Sequence, residues 1–435
     1  MKIYLDKNKK APEIKPVNGV QNGPVSFDFL IDQSKYFKEA GFPYSRLHDT
    51  ELLYGAGDFV NIHCIFPDMT ADPDDPGAYN FQCTDEYIKA IYDAGTKVFY
   101  RLGESIENNP RFKRYTVPPV DFDKWAEVCC HIVAHYNEGW ANGFHYGIEY
   151  WEIWNEPENP PMWTGTAKQY YELYRVTANR LKNRFPGIKV GGYGSCGFYS
   201  ASEKYSDPFY KSFITYARGF LSYITAKETK APLDFFSWHV YTNEPDDIVL
   251  SAVYCRDLLD GFGFTSVESI LDEWNYNAPG ETDGRHRKSI KAAAFVGETL
   301  IRLQKAPVDK AMYYDAQVML ISYCGLFNEY TREPEKPYYA MLAFNKVKQF
   351  GRPIETPDGD GVFTLASASE CGYALMITNF TSGEKRIAVS ADARKADIYV
   401  LDKDHDLQKT AETEYRDGFC AAVPADSVLY IEFIK

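Results

Sequence analysis

The sequence predicts an α/β fold: a closed (β/α)8 TIM barrel with an accessory antiparallel β-sandwich. Three observations lead there. Strand-like and helix-like segments alternate from about residue 15 to about residue 345, the pattern of a parallel sheet covered by helices. After residue 345 the texture changes to short alternating strands joined by Gly, Asp, Ser and Thr turns, as in an antiparallel sandwich. The length, 435 residues, suits one large barrel plus a small second domain. An open doubly wound sheet is the competing arrangement, and the lack of a G-x-G-x-x-G or P-loop motif counts against it.

The elements follow in order. "MKIYLD" alternates like a sandwich strand, so residues 1–13 and 346–435 are assigned to the sandwich and 14–345 to the barrel. "DQSKYFKEAG" reads as a helix ending at Gly41, before the strand "PYSRLHD". "TDEYIKAIYDAG" is a second helix, with Thr84 as its expected N-cap and Gly95 past its end, leading to "KVFYRLG". "DFDKWAEVCCHIVAHY" precedes the strand "IEYWEIWNE". Thr166 and Gln169 form a capping box for the next helix, in which Tyr170, Leu173, Tyr174, Thr177, Ala178 and Leu181 recur at helical spacing. Pro186-Gly187 ends it before "IKVGG", and "LDFFSWHVY", "SILDEWN" and "KAMYYDAQ" supply the later strands. "GVFTLASASECGYALMITNF", "KRIAVSAD", "ADIYVLD" and "DSVLYIEFIK" are the sandwich strands.

Composition narrows the function. The net charge is −14, which disfavours nucleic acid, because phosphate neutralisation needs a basic face. No apolar run is long enough to span a bilayer, so no membrane partner is expected. "MKIYLDKNKKAPEIKP" lacks a signal-peptide core, and the expected location is the cytoplasm. Nine cysteines, an odd number with irregular spacing and an adjacent Cys129-Cys130 pair, make no disulfide framework. Aromatic residues reach 16%, which suits both a filled core and the stacking of sugar rings. A homo-oligomer is compatible with all of this.

One stretch points to chemistry. In "YWEIWNEPENPPMW" an aromatic strand stops at a carboxylate, Glu156, held between Asn155 and Pro157. Pro157 prevents the strand ladder from continuing. In a barrel, the ends of strands are where catalytic groups stand. A second carboxylate, Glu273 in "SILDEWN", occupies the matching place on a later strand. Two carboxylates at one barrel mouth are the equipment of a retaining glycosidase. A lone Glu at a strand end is commonly only an exposed loop acid. Asn243-Glu244-Pro245 repeats the tripeptide but enters an Asp-bearing loop, and Glu244 is read as a loop residue.

"WEIWNEP", "FFSWHVY", "LDEWN" and "KPYYAMLAFNKVKQFG" together resemble the glycoside hydrolases of clan A, and most closely family 39, whose members include β-xylosidases and α-L-iduronidases. The resemblance runs from about residue 26 to about residue 350. It implies Glu156 as acid/base, Glu273 as nucleophile and Asn155 as a partner of the sugar 2-hydroxyl. It further implies Arg46 beneath the nucleophile, with His239 and Tyr241 as an H-x-Y pair sharing one strand face. His48 is expected to face the pocket. Tyr313, or its neighbour Tyr314, stands where the family often carries a tryptophan platform, and Trp163 is a further candidate platform. The chain departs from the family at Asp49, where glycine is usual, and at Ala278, near where a tyrosine is usual. The implied activity is retaining hydrolysis of β-glycosidic bonds, β-xylosidase-like, on an oligosaccharide or small glycoside and without a cofactor. Another sugar is the first alternative, including a uronic acid held by Arg101 or Lys97. A barrel that binds carbohydrate without catalysis is the second.

No metal site is expected. His131 and His135 have metal-helix spacing in "HIVAH", but Ile132 stands where a zinc hydrolase carries glutamate.

Overall fold

The structure is a computed structural model describing residues 1–26, 30–48, 50, 59–105, 115–318, 323–414 and 418–435. Asp49, the residue at which the chain departs from the family pattern, lies outside the described residues.

Eight parallel strands close a barrel. They are β1 (Gly19–Gln21), β2 (Tyr44–Arg46), β3 (Lys97–Leu102), β4 (Tyr150–Ile153), β5 (Lys189–Ser195), β6 (Phe235–Thr242), β7 (Glu268–Tyr276) and β8 (Lys310–Tyr313). β1 pairs with β8, so there is no open edge. One end of the barrel is plugged by Phe99, Tyr150, Phe235, Ile270 and Met312, one inward side chain from each of five strands. Moving two residues along each of these strands leads toward the other end, where the side chains become polar. Glu152, Ser237, Asp272 and Arg101 are there, all buried.

Local rules explain the helix ends. Thr166 and Gln169 form the reciprocal capping box of Ala167–Arg184. Thr84 is not an N-cap: the helix begins at Gln82, and the Thr84 hydroxyl donates to the Phe59 carbonyl at 2.6 Å. Thr84 lies inside the first turn, where its position rather than its hydroxyl excludes the cap role. Gly95, past the helix end, has φ +80°, which glycine adopts without strain.

Beyond the barrel, Arg352–Ile354, Val362–Ala368, Gly372–Asn379, Ser427–Ile434, Lys395–Leu401 and Asp406–Glu414 form an antiparallel six-stranded sheet in that order. A second sheet joins the N-terminal strand Lys2–Leu5 to Lys385–Ala391 and Phe419–Val423. The N-terminal strand runs parallel to its neighbour, a departure from the antiparallel texture of the rest. Ile3, Leu5, Ile387 and Val389 share one core with Leu375, Ile377 and Phe433, so the two sheets form a sandwich. The last barrel helix runs over Lys336–Phe350. Gly297, on the helix Ile290–Leu303, faces Thr378, Val428 and Met376, and a Cβ there would come within 2.8 Å of Thr378. That glycine lets the barrel approach the sandwich closely.

Candidate active site

Inward-facing residues alternate along regular strands. On β2 and just past its end these are Tyr44, Arg46 and His48; on β6 they are Ser237, His239 and Tyr241. The two catalytic candidates arise where alternation fails. On β7 the pairing with β6 shifts register between Leu271 and Glu273. This bulge turns Asp272 and Glu273, adjacent in sequence, toward the same guanidinium. After β4 the backbone is left-handed at Trp154 (φ +75°) and at Glu156 (φ +46°). Non-glycine residues pay strain for this conformation. Here Trp154 packs on Trp163 and Trp125, whereas Asn155 reaches Arg46 and Glu156 enters the cleft. The Glu156 amide donates to the Tyr193 and Gly194 carbonyls at the end of β5, at 3.2 and 3.0 Å.

Arg46 organises the floor. It is fully buried. Its Nε lies 2.6 Å from Glu152 Oε2 and 3.0 Å from Asp272 Oδ2. Its Nη1 donates to Glu273 Oε1 at 2.8 Å, and its Nη2 to Asn155 Oδ1 at 2.7 Å. Asn155 has thereby used its oxygen on the arginine, and what it presents to a ligand is its amide N–H pair. Glu273 Oε2 accepts from the Tyr241 hydroxyl at 2.7 Å. His239 Nδ1 lies 2.7 Å from Glu156 Oε1 and 3.4 Å from Glu273 Oε2, bridging the two carboxylates. Glu156 Oε2 accepts from Asn159 at 3.0 Å. An oxygen of Glu156 and one of Glu273 lie within 4.8 Å of each other.

These groups open into a cleft of about 770 Å³. Glu156, Glu273, Asn155, His48, His239 and Tyr241 all line it. His48 Nε2 is 3.8 Å from Glu273. Two candidates are placed elsewhere. Trp163 is buried against Trp154 and Tyr170, its indole N–H donating to the Thr166 carbonyl at 3.1 Å. It packs its own loop and does not line the cleft. Tyr313 points away from the barrel axis onto Trp274, because Met312 already takes the inward place. Its neighbour Tyr314 faces the cleft, edge-on to His48 and Tyr241. Sequence reasoning also missed Asn159, Cys196 and the acids Glu152 and Asp272. The last two carried a signal: each interrupts an otherwise apolar buried strand.

The remaining motifs resolve simply. Glu244 is exposed at the start of the helix Pro245–Gly261. His131 pairs with Asp74 and the Glu127 carbonyl, and His135 with Asp85 and the Trp140 carbonyl, so the two rings serve separate partners. Arg101 is buried and donates to Asn61 at 3.1 Å.

Electrostatics follow from burial and these contacts. Burial holds Asp272 well above the usual carboxylate range, reinforced by the neighbouring Glu152. Glu152 is also desolvated, yet Arg46 and its hydrogen bonds hold it below the usual value. Asp272 therefore keeps a proton and Glu152 a charge. Burial pushes His48 well below the ordinary histidine value, and Arg101 and Arg46 add to this. Burial also raises Glu273, despite His239 and Arg46. Glu156 is lowered: burial works against ionisation, but hydrogen bonds from His239, Asn159 and Cys196 outweigh it.

Comparison with known proteins agrees with this architecture. The profile described as glycosyl hydrolases family 39 matches residues 35–309. A β-xylosidase of Geobacillus stearothermophilus is 28% identical over 228 residues, 49% of this chain and 39% of that protein. A β-xylosidase of Caldicellulosiruptor saccharolyticus is 24% identical over 314 residues, 66% of this chain and 56% of that protein. The chain thus spans about half the length of the curated relatives it matches. The crystal structure of a glucosidase from Croceicoccus marinus superposes with a TM-score of 0.80 at 21% identity, covering 100% of this chain and 99% of that one.

Proposed function

Because the chain belongs to glycosyl hydrolases family 39, we propose that it hydrolyses β-glycosidic bonds of an oligosaccharide or small glycoside by double displacement, with β-xylosidase-like specificity. The observation that carries this reading is the spacing of the two acids. Carboxylate oxygens of Glu156 and Glu273 within 4.8 Å suit a retaining pair, about 5–5.5 Å apart, and leave no room for the water that an inverting pair separated by roughly 6.5–9.5 Å would hold.

Glu273 attacks the anomeric carbon and Glu156 protonates the departing oxygen. The C–O bond to the leaving group breaks as the bond to Glu273 forms. Glu156 then takes a proton from water, which attacks the same carbon and releases Glu273. Asn155 offers its amide N–H to the sugar 2-hydroxyl. This chemistry needs Glu273 ionised and Glu156 protonated, the reverse of the tendency that the protein groups alone set. Of the two, Glu273 holds the guanidinium of Arg46, together with the Tyr241 hydroxyl. A bound glycosidic oxygen beside Glu156 adds desolvation there, which favours its neutral form. The proton then belongs on Glu156 in the complex.

A screen of nitrophenyl glycosides, followed by proton NMR of the first-formed sugar, tests the proposal. β-Xyloside hydrolysis with an initial β-anomer is expected. An initial α-anomer from a β-glycoside would overturn the mechanism, and hydrolysis confined to other glycosides would overturn the sugar assignment.

A further inference from the structure

The two ends of the cleft differ in chemistry. Around Glu273 the polar groups His48, Asn155, Tyr241 and Asn277 line the cleft together with the rings of Tyr314 and Tyr323. On the side of Glu156, the chain leaving β5 adds Tyr199, Tyr205, Phe209, Tyr210 and Phe213 to the lining. These five rings contact one another in edge-on or tilted pairs with centroids 4.8–6.2 Å apart. Phe209 is 50% exposed, a large apolar surface turned to solvent beside a reactive site.

The wall belongs to the acid/base side. The Glu156 amide bonds the carbonyls that end β5, and Cys196, at the root of the aromatic segment, lines the cleft with Glu156. The nucleophile attacks the sugar from the face opposite the leaving group, so whatever departs does so past Glu156. The polar side-chain atoms that residues 199–213 add to the lining are the hydroxyls of Tyr199, Tyr205 and Tyr210, while Asn159, Thr242 and Asn243 line the cleft from other loops. The Tyr199 hydroxyl already accepts from the Tyr241 amide at 2.8 Å, and the Tyr205 hydroxyl lies against Asp247. A second sugar would need partners for several hydroxyls, whereas a flat ring needs only faces and edges.

Resting on the proposed hydrolase reading, the geometry points to a leaving-group subsite for aromatic aglycones, formed by Phe209, Tyr210 and Phe213 with Tyr199 and Tyr205 behind them. The preferred substrates are then glycosides of phenols or aryl alcohols, more than chains of sugars.

Binding and turnover separate this inference from the one beneath it. The non-hydrolysable 2-naphthyl 1-thio-β-xyloside and its methyl counterpart are titrated against wild type, Phe209→Ala and Tyr210→Ala by calorimetry. The naphthyl compound binds wild type more tightly than the methyl one. Each substitution, by removing one aromatic contact, weakens naphthyl binding about three- to tenfold and leaves methyl binding within twofold. β-Xylosyl fluoride, whose leaving group is too small to touch the wall, is hydrolysed by the variants at the wild-type rate. Equal naphthyl and methyl affinities, or equal losses on both, overturn the aromatic subsite even if the fluoride is turned over. Fluoride that wild type does not hydrolyse overturns the catalytic reading, while selective naphthyl binding would still uphold the aromatic wall. Thio-linked xylobiose, which is not hydrolysed, competing with the naphthyl compound more strongly than phenyl 1-thio-β-xyloside does would assign the subsite to sugar and overturn the inference.

Discussion

Arg46→Met is the sharpest perturbation of the site. One buried guanidinium contacts Glu152, Asp272 and Glu273. Asp272 retains its proton, so the substitution leaves the buried Glu152 charge without its cation and Glu273 without the cation that opposes its desolvation. Breaking a buried pair from one side costs about 3–5 kcal/mol. Methionine keeps much of the stem packing, so this loss is chiefly electrostatic. With an unfolding entropy of roughly 2.1 cal/mol/K per residue over 435 residues, the melting temperature falls by about 3–5 °C. The pH dependence has a definite sign. Glu152 has a lowered folded pKa, so its contribution is present above the unfolded value and disappears as pH falls through the folded one. The gap between wild type and variant is widest near neutrality and closes in acid. In activity, Glu273 loses the cation that favours its ionised form, and the acid limb of kcat/KM moves to higher pH. Thermal scans from pH 3 to 8, with pH–rate profiles, measure both effects. Arg46→Lys keeps the charge but not the fork, and should lose activity with a smaller loss of stability. An Arg46→Met protein with an unchanged melting temperature and an unmoved acid limb would refute the reasoning.

Other outcomes follow from single contacts. Glu273→Ala should abolish turnover on all glycosides, with azide restoring it to give an inverted glycosyl azide. Glu156→Ala should spare substrates with good leaving groups and yield a retained azide product; identical losses on every substrate in both variants would break this division of roles. Tyr241→Phe removes a hydrogen bond to a charged group, worth about 1.5–3 kcal/mol; kcat/KM should drop roughly 10- to 100-fold, measured against a nitrophenyl xyloside. Burial raises Glu298 to about 7 from a usual 4.5. Its contribution is complete below the unfolded value and is lost as pH rises through 7, so Glu298→Gln should gain melting temperature relative to wild type between pH 5 and 8.

Most of the residues that meet in the cleft were legible in the sequence because strand ends are marked by composition. "WNEP" stops a strand with proline, and "LDEWN" puts acids after an apolar run. Arg46, His239 and Tyr241 obey the two-residue period, and each touches a carboxylate. Tyr313 was misplaced by parity alone: Met312 faces the axis, so Tyr314 does as well and Tyr313 cannot. Trp163 was misplaced because a loop tryptophan beside a catalytic strand can stack on a sugar or on its own neighbours, and here Trp154 claims it. The aromatic segment after β5 had no motif to mark it. Its rings meet through helix and loop geometry that no local period encodes.

Both carboxylates proposed to be catalytic occur where a strand breaks its period, and the reason is geometric. A regular strand turns one residue in two toward the axis. Eight such strands give each level of the barrel only alternate side chains, too few to gather an acid, a base, their arginine and a sugar-binding amide at one height. The bulge in β7 presents Asp272 and Glu273 together, so the protonated acid supports the network beneath while its neighbour stays available above. The left-handed residues after β4 do the same for Asn155 and Glu156, sending Trp154 outward between them and the strand. Neither irregularity is favourable alone. Each is held by what surrounds it: Arg46 binds both products of the first and Asn155 of the second, and the carbonyls ending β5 bind the Glu156 amide. Arg46 therefore does more than favour the charge on Glu273. It ties two distorted strands to a third regular one, which is why its loss should register in stability and in the pH profile together.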